Sequence, residues 1–319
     1  MKKTFALTLV LALFVPSFSL VYSAPLADTY YAETDGELFD AEKRLDEIVT
    51  KAVKSELSIV QEVLKSNISE PQRRMMIEKR TELENIKSYT DFSSPSNIEE
   101  SILDLKKQGF NADPDFEKLC REIYSYKVKN QYGDLKEVVR QFNKKAGLAE
   151  KKRSIISVKI SDSSQAQAYS ISYSAWTKLT TSEKLLIASD PKAAILTQAI
   201  QKKAYEFTTS KFGSNGLGDK SDGYRHGIWN ALMSRDISSY WAEAISTAHE
   251  DRPKSELDAK QADGYTGWQH KAMDLNNNKV GRSVIAWYEF SFNCSDATVK
   301  SRISTKLTNK SGEITWLHN

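Results

Sequence analysis

Apolar positions in the first half of the chain recur at steps of three and four. Leu45, Ile48, Val49, Ala52, Val53, Val60, Val63 and Leu64 are separated by Lys and Glu, a spacing that predicts one long amphipathic helix. Ser69-Glu70-Pro71 restarts the chain with proline near a first turn, and Met75, Met76, Leu83 and Ile86 carry the next stripe. Asp91 to Asn97 reads as a loop. Further helices are expected from Ile98 to Lys107, after the turn Asn111-Ala112-Asp113-Pro114, and from Leu135 to about Ala146. The period changes at 151–174, where Ile155, Ile156, Val158 and Ile160 precede an alternation over 168–173. This predicts two short strands, as a β-hairpin around Asp162-Ser163-Ser164 or an extended connector. Helical signals then resume, with Thr181-Ser182-Glu183 capping a short helix and Ser189-Asp190-Pro191 opening one that ends near Lys211. The expected class is mainly α: a helical N-terminal region (24–150), a β-containing connector (151–174) and a helical C-terminal domain (175–319).

The first 23 residues have another character. Lys2 and Lys3 precede an apolar run from Phe5 to Phe14, followed by Pro16 and small residues around Ser23, the layout of a secretory signal peptide with cleavage after Ser23. The run is shorter than the roughly 20 residues that cross a bilayer, and no later stretch is apolar enough to do so. The mature chain is therefore expected to be soluble and secreted, or held at the cell envelope. Removing Lys2 and Lys3 takes the formal charge from +3 to nearly neutral. From Lys211 to Arg282 basic and acidic residues balance, which argues against a nucleic-acid partner. Export permits a bridge between the only two cysteines, Cys120 and Cys294, but two unpaired buried thiols fit the sequence equally. The N-terminal helices, which lack histidine and any glycine-rich loop, could present apolar faces to a protein partner.

Chemistry concentrates between Asp222 and Arg282, where three of the four histidines fall. The preceding Gly213-Ser214-Asn215-Gly216-Leu217-Gly218-Asp219-Lys220-Ser221 is not a phosphate loop, because Asp219 separates glycine from lysine and a helix precedes it. Asp222 can cap a helix on which His226, Trp229, Asn230 and Met233 share a face. A second helix from about Ile237 turns His249 inward one turn after Ile245, with Glu250 rotated about 100° from it. His270 and Asp274 are spaced to share a third helical face.

Arg225-His226-Gly227-Ile228-Trp229-Asn230-Ala231-Leu232-Met233, then Ala248-His249-Glu250, then Met273-Asp274-Leu275-Asn276-Asn277-Asn278-Lys279-Val280-Gly281-Arg282 form a long three-part pattern. It resembles a bacterial family of domains of unknown function carried by exported proteins and at the C-termini of large toxin-like cell-surface proteins. With the lead-in segments Leu179 to Lys184 and Ser189 to Pro191, the resemblance covers about 176–288. It implies a helical domain in an exported protein and brings no activity with it. His270 lies outside the pattern.

Two kinds of chemistry suit these residues. His226, His249 and Asp274 could ligate a divalent metal, with Glu250 as general base. Alternatively a His–Asp or His–Glu pair could activate water without metal, as in ester or phosphodiester hydrolysis. In either case His226, His249, Glu250 and Asp274 are the candidate catalytic residues, supported by Arg225, Trp229, Asn230, Asn277 and Gly281. Arg225 and Arg282 could bind a phosphate, or pair with Asp222 or Asp274. The Asp274-to-Asn278 run has oxygen side chains at alternate positions, but Lys279 and Ile285 stand where a calcium loop needs Gly and Glu. A turn capped by Asn and Asp, with Gly281 in an unusual backbone angle, accounts for it better. The non-catalytic alternative is a buried hydrogen-bond network of His226, Asn230, His249, Asp274 and Asn277 in a secreted binding or structural protein.

Overall fold

In a computed structural model, residues 34–92, 97–131, 133–159, 173–308 and 313–319 are described. Residues 1–23, expected to be a signal peptide, lie outside them. The chain is mainly α, and among the described residues there is no β-strand, only an isolated antiparallel bridge between Lys260 and Thr266.

Helix α1 (Asp35–Lys65) begins with a reciprocal cap. The Thr34 hydroxyl accepts the Glu37 N–H, and the Glu37 carboxylate accepts the Thr34 N–H at 2.7 Å. Its buried stripe of Leu38, Ala41, Leu45, Val49, Val53 and Val60 follows the expected spacing. The next helices are α2 (Glu70–Asn85), α3 (Ile98–Lys107), α4 (Pro114–Lys129) and α5 (Leu135–Lys159), with a 3-10 turn at Tyr89–Phe92. Each of α2, α3 and α4 starts where proline or an Asx cap predicts. Helix α5 corrects one expectation: it runs through 151–159, where the first strand was expected. The remaining strand residues, 160–172, lie outside the described part.

The C-terminal half comprises α6 (Thr181–Ser189), α7 (Pro191–Phe212), α8 (Lys220–Asp236), α9 (Ser239–His249), α10 (Lys254–Asp258), α11 (Gly267–Ser283) and α12 (Asp296–Thr308). Helix α8 is its centre and packs against α7, α9, α11 and α12. Helix α11 lies closest, because glycine faces glycine at the crossing: a Cβ on Gly281 would sit 2.3 Å from the Gly227 carbonyl oxygen. Gly281 thus lies within a helix and serves close packing, rather than supplying an unusual backbone angle in a turn. Asp274 to Asn278 likewise continue α11 instead of forming a capped turn.

The N-terminal helices are part of the same core, since α1 packs on α9, α4 on α7, and α5 on α6. Polar ties cross these contacts. Lys127 donates to the Ser189 carbonyl at 2.6 Å, and Arg44 to Asp251 at 2.9 Å. Cys120 and Cys294 are both buried and unpaired. No helix among the described residues is long and apolar enough to cross a membrane.

Candidate functional site

Three helices and one helix start converge on the residues singled out by spacing. Helix α8 supplies Asp222, Arg225, His226, Trp229 and Asn230. Helix α9 ends in His249, followed by Glu250, and α11 contributes Asp274 and Asn278. The fourth contributor is the first turn of α6, which brings Glu183.

Glu183 is fixed by its own helix. Thr180, not Thr181, is the cap: its hydroxyl accepts the Glu183 N–H at 3.0 Å, and Glu183 Oε2 accepts the Thr180 N–H at 2.8 Å. The Thr180 hydroxyl also donates to the Ala248 carbonyl at 2.7 Å, which draws the end of α9 to this turn. Glu183 Oε1 is left facing His249 Nδ1 at 2.8 Å. Burial penalises both charged forms, but each partner overcomes it for the other. Glu183 is held below the ordinary carboxylate range by His249, Arg252 and the Thr180 N–H. His249 is raised above the ordinary histidine value by the Glu183 carboxylate and by Glu250. The carboxylate takes the Nδ1 hydrogen, so in the neutral ring Nε2 carries the lone pair. With its side chain 20% exposed, His249 is the most accessible histidine of the cluster.

Deeper in the site, a chain of hydrogen bonds fixes the tautomer of His226. Arg282 can only donate, and its Nη1 lies 3.0 Å from Asn230 Oδ1. Asn230 Nδ2 must then be the donor to Asn278 Oδ1, at 2.6 Å. Asn278 Oδ1 is thereby an acceptor for His226 Nδ1 as well, at 3.1 Å, and Nδ1 carries the ring hydrogen. The bare Nε2 of His226 points at two carboxylate oxygens, Asp274 Oδ1 at 3.3 Å and Asp222 Oδ1 at 3.5 Å. Burial lowers His226 to about 4, with Arg225 and His249 adding to the shift against the pull of Asp222.

The carboxyls here differ in their partners. Asp222, the more deeply buried, accepts the Gly218 N–H at 2.7 Å through Oδ2 and pairs with Arg225 through Oδ1. Asp274 Oδ1 has no hydrogen-bond donor; burial, then Glu250 and Asp222, push this carboxyl well above the usual range. Glu250 Oε1 is likewise buried without a partner, and burial together with Asp222 and Glu183 raises it against the pull of His249 and Arg252. Trp229 lies between the two histidines, its ring centroid 6.4 Å from His226 and 5.7 Å from His249.

Residues 184–311 contain the domain that this geometry describes, save Glu183 just before it. They match the model of DUF6973, a domain of unknown function. No curated protein and no solved structure matches the chain.

Several placements differ from the expectations. The cap of α8 is Asp219, whose Oδ1 accepts the Ser221 and Asp222 N–H groups, which leaves Asp222 to face inward. The expected metal candidates separate: His226 and Asp274 meet with Asp222, while His249 pairs with Glu183. Arg225 does pair with Asp222, but Arg282 reaches Asn230 and the Ser246 hydroxyl rather than Asp274. Asn277 points away, exchanging hydrogen bonds with the backbone of Thr315 at 2.8 and 2.9 Å, and its neighbour Asn278 takes the inner position. His270 joins Asp263 and His318 in a separate group. Sequence reasoning missed Asn278 and the role of Glu183. For Glu183 the Thr-x-x-Glu spacing was a usable sign of a fixed carboxylate, but nothing linked it to a histidine 66 residues away.

Proposed function

We propose that the protein is an exported hydrolase whose site lies among α6, α8, α9 and α11, with His249 as general base. The observation that supports it most is the 2.8 Å contact between Glu183 and His249. It orients the ring, raises its basicity and leaves Nε2 for water at the accessible rim of the cluster. Glu250, whose carboxyl burial raises and whose Oε1 has no hydrogen-bond partner, supplies the opposite requirement, a proton donor for the departing oxygen. In the proposed step His249 Nε2 takes a proton from water as its oxygen attacks an ester or phosphodiester. The buried carboxyl gives its proton to the departing oxygen, and the proton on His249 then returns to that carboxylate. The likeness to domains of exported and toxin-like surface proteins supports a substrate outside the producing cell.

A second reading, a secreted binding protein pinned by a structural network, is favoured by the complete burial of Asn230 and Asn277. A panel of carboxylic-ester and phosphodiester substrates separates the two. Under the hydrolase reading, His249→Gln lowers the rate by at least about 100-fold while the melting profile stays close to wild type. Glu183→Gln lowers the rate and moves the acid limb of the pH profile to lower pH, because the carboxylate no longer raises the ring. Absence of turnover across the panel, or turnover indifferent to His249→Gln, removes the hydrolase reading and leaves the network.

A further inference from the structure

His226 poses a problem that its surroundings do not solve. Its Nδ1 hydrogen is committed to Asn278 through the chain anchored on Arg282, so a neutral ring directs a lone pair from Nε2 toward oxygen atoms of Asp222 and Asp274. Three electron-rich atoms face one another, and Asp274 Oδ1 has no hydrogen-bond donor although the residue is more than nine-tenths buried. A proton on Asp274 would join only one pair of these atoms, whereas a cation between them meets all three.

The separations suit a cation. The three ligand atoms lie within 4.8 Å of one another, with the two histidine-to-carboxylate distances at 3.3 and 3.5 Å. A tetrahedral ion with ligand bonds of about 2.0–2.2 Å holds its ligand atoms about 3.3–3.6 Å apart. We propose that Asp222 Oδ1, His226 Nε2 and Asp274 Oδ1 are three ligands of a divalent transition-metal ion of the zinc class, leaving a fourth position for water or substrate.

The surroundings supply what such a site needs. The far nitrogen of the imidazole is held by Asn278, and Asn278 by Asn230, the outer support that orients a ligating histidine. Asp222 Oδ2 is held by the Gly218 N–H, which leaves Oδ1 to be shared between Arg225 and the ion. Two carboxylates against one arginine leave net negative charge for the cation. The ligand set combines one imidazole with two carboxylates, donors that zinc accepts and that calcium, which takes only oxygen, does not.

This inference concerns an ion bound by the inner residues, whereas the hydrolase reading rests on the Glu183–His249 pair, and either can fail alone. Chelator-stripped full-length protein titrated calorimetrically with Zn2+ tests it directly. The expected result is one equivalent bound per chain, with a melting temperature that rises on addition. Asp274→Asn and His226→Gln should each weaken binding by at least about 100-fold, and Asn278→Ala by about 10–100-fold through loss of ring orientation. His270→Gln, in the separate group with Asp263 and His318, should leave binding unchanged. Asp274→Asn keeps the side-chain shape and removes a buried carboxyl without a donor, so the unloaded variant should melt no lower than wild type. If it does not fold, His226→Gln reads the same contact. Absence of stoichiometric binding, equal affinity in the folded Asp274 and His226 variants, or loss through His270→Gln alone overturns the assignment. Zinc binding without turnover retains the ion and removes the hydrolase, while turnover that survives chelation does the reverse.

Discussion

Glu183 caps α6 through one oxygen and orients His249 through the other, and that division has a measurable pH signature. His249 is raised above its unfolded value, so its contribution to stability is full below about pH 6.5 and lost as pH rises through the folded value. Glu183 is lowered, so its contribution is full above about pH 4.5 and lost as pH falls through its own folded value. The groups facing His249 are Glu183 from α6, Glu250 and Arg252 beyond the end of α9, and His226 from α8. Glutamine preserves the cap, so Glu183→Gln isolates the charge pair. Chemical denaturation should show it costing about 1–3 kcal/mol near pH 5.5–6 and clearly less by pH 9. A cost that stays flat over that range would mean the ionisation of His249 is not coupled to Glu183. At this scale the sequence was partly legible. The spacing of His226 and Asn230 placed both on one face of α8, and the position of His249 one turn after Ile245 turned it inward. Which carboxylate meets which histidine was not legible, because such pairs are set by helices far apart in sequence.

Helix placement was the most legible feature, since caps and apolar stripes are local. Asn97, Asp113 and Asp190 cap the helices they were expected to precede. The failures came where a local preference yielded to context. Ile155, Ile156 and Val158 favour strands by their branching, yet α5 continues across them. The asparagine run and Gly281 resemble a turn in isolation, but α11 runs through them, its start fixed by the Thr266–Gln269 cap. Gly281 gives this a decisive test. In a helix interior, Gly→Ala alone stabilises by up to about 1 kcal/mol. At Gly281 the added Cβ meets backbone, the Gly227 carbonyl oxygen, which cannot swing aside as a side-chain tip would. Gly281→Ala should therefore destabilise by about 2–3 kcal/mol, and because it pushes α11 from α8 it should also weaken Zn2+ binding. A stabilised Gly281→Ala protein would mean that the two helices are not in close contact.

For the whole molecule, one cluster of buried apolar side chains extends from Leu38 to Ile314, so the N-terminal helices and the DUF6973 region share a core. Helix α1 braces α9, and Arg44 ties it to Asp251, two residues beyond His249. The C-terminal segment is docked too, through Asn276 and Asn277 and through the contact of His318 with the Leu217 carbonyl. None of this was legible, since the tail carries no periodic pattern and contacts between distant segments leave no local trace. The site thus rests on support from both ends of the described chain. Such support gives two nearby histidines opposite characters, His249 raised and His226 lowered. With only four histidines in the chain, an NMR titration of the ring resonances tests it without a known substrate. In metal-free protein, His249 should titrate above the ordinary value of about 6.5 and fall on Glu183→Gln, while His226 stays neutral down to about 4 with its hydrogen on Nδ1. His249 titrating at or below 6.5 and indifferent to Glu183→Gln, or His226 carrying its hydrogen on Nε2, would contradict the account.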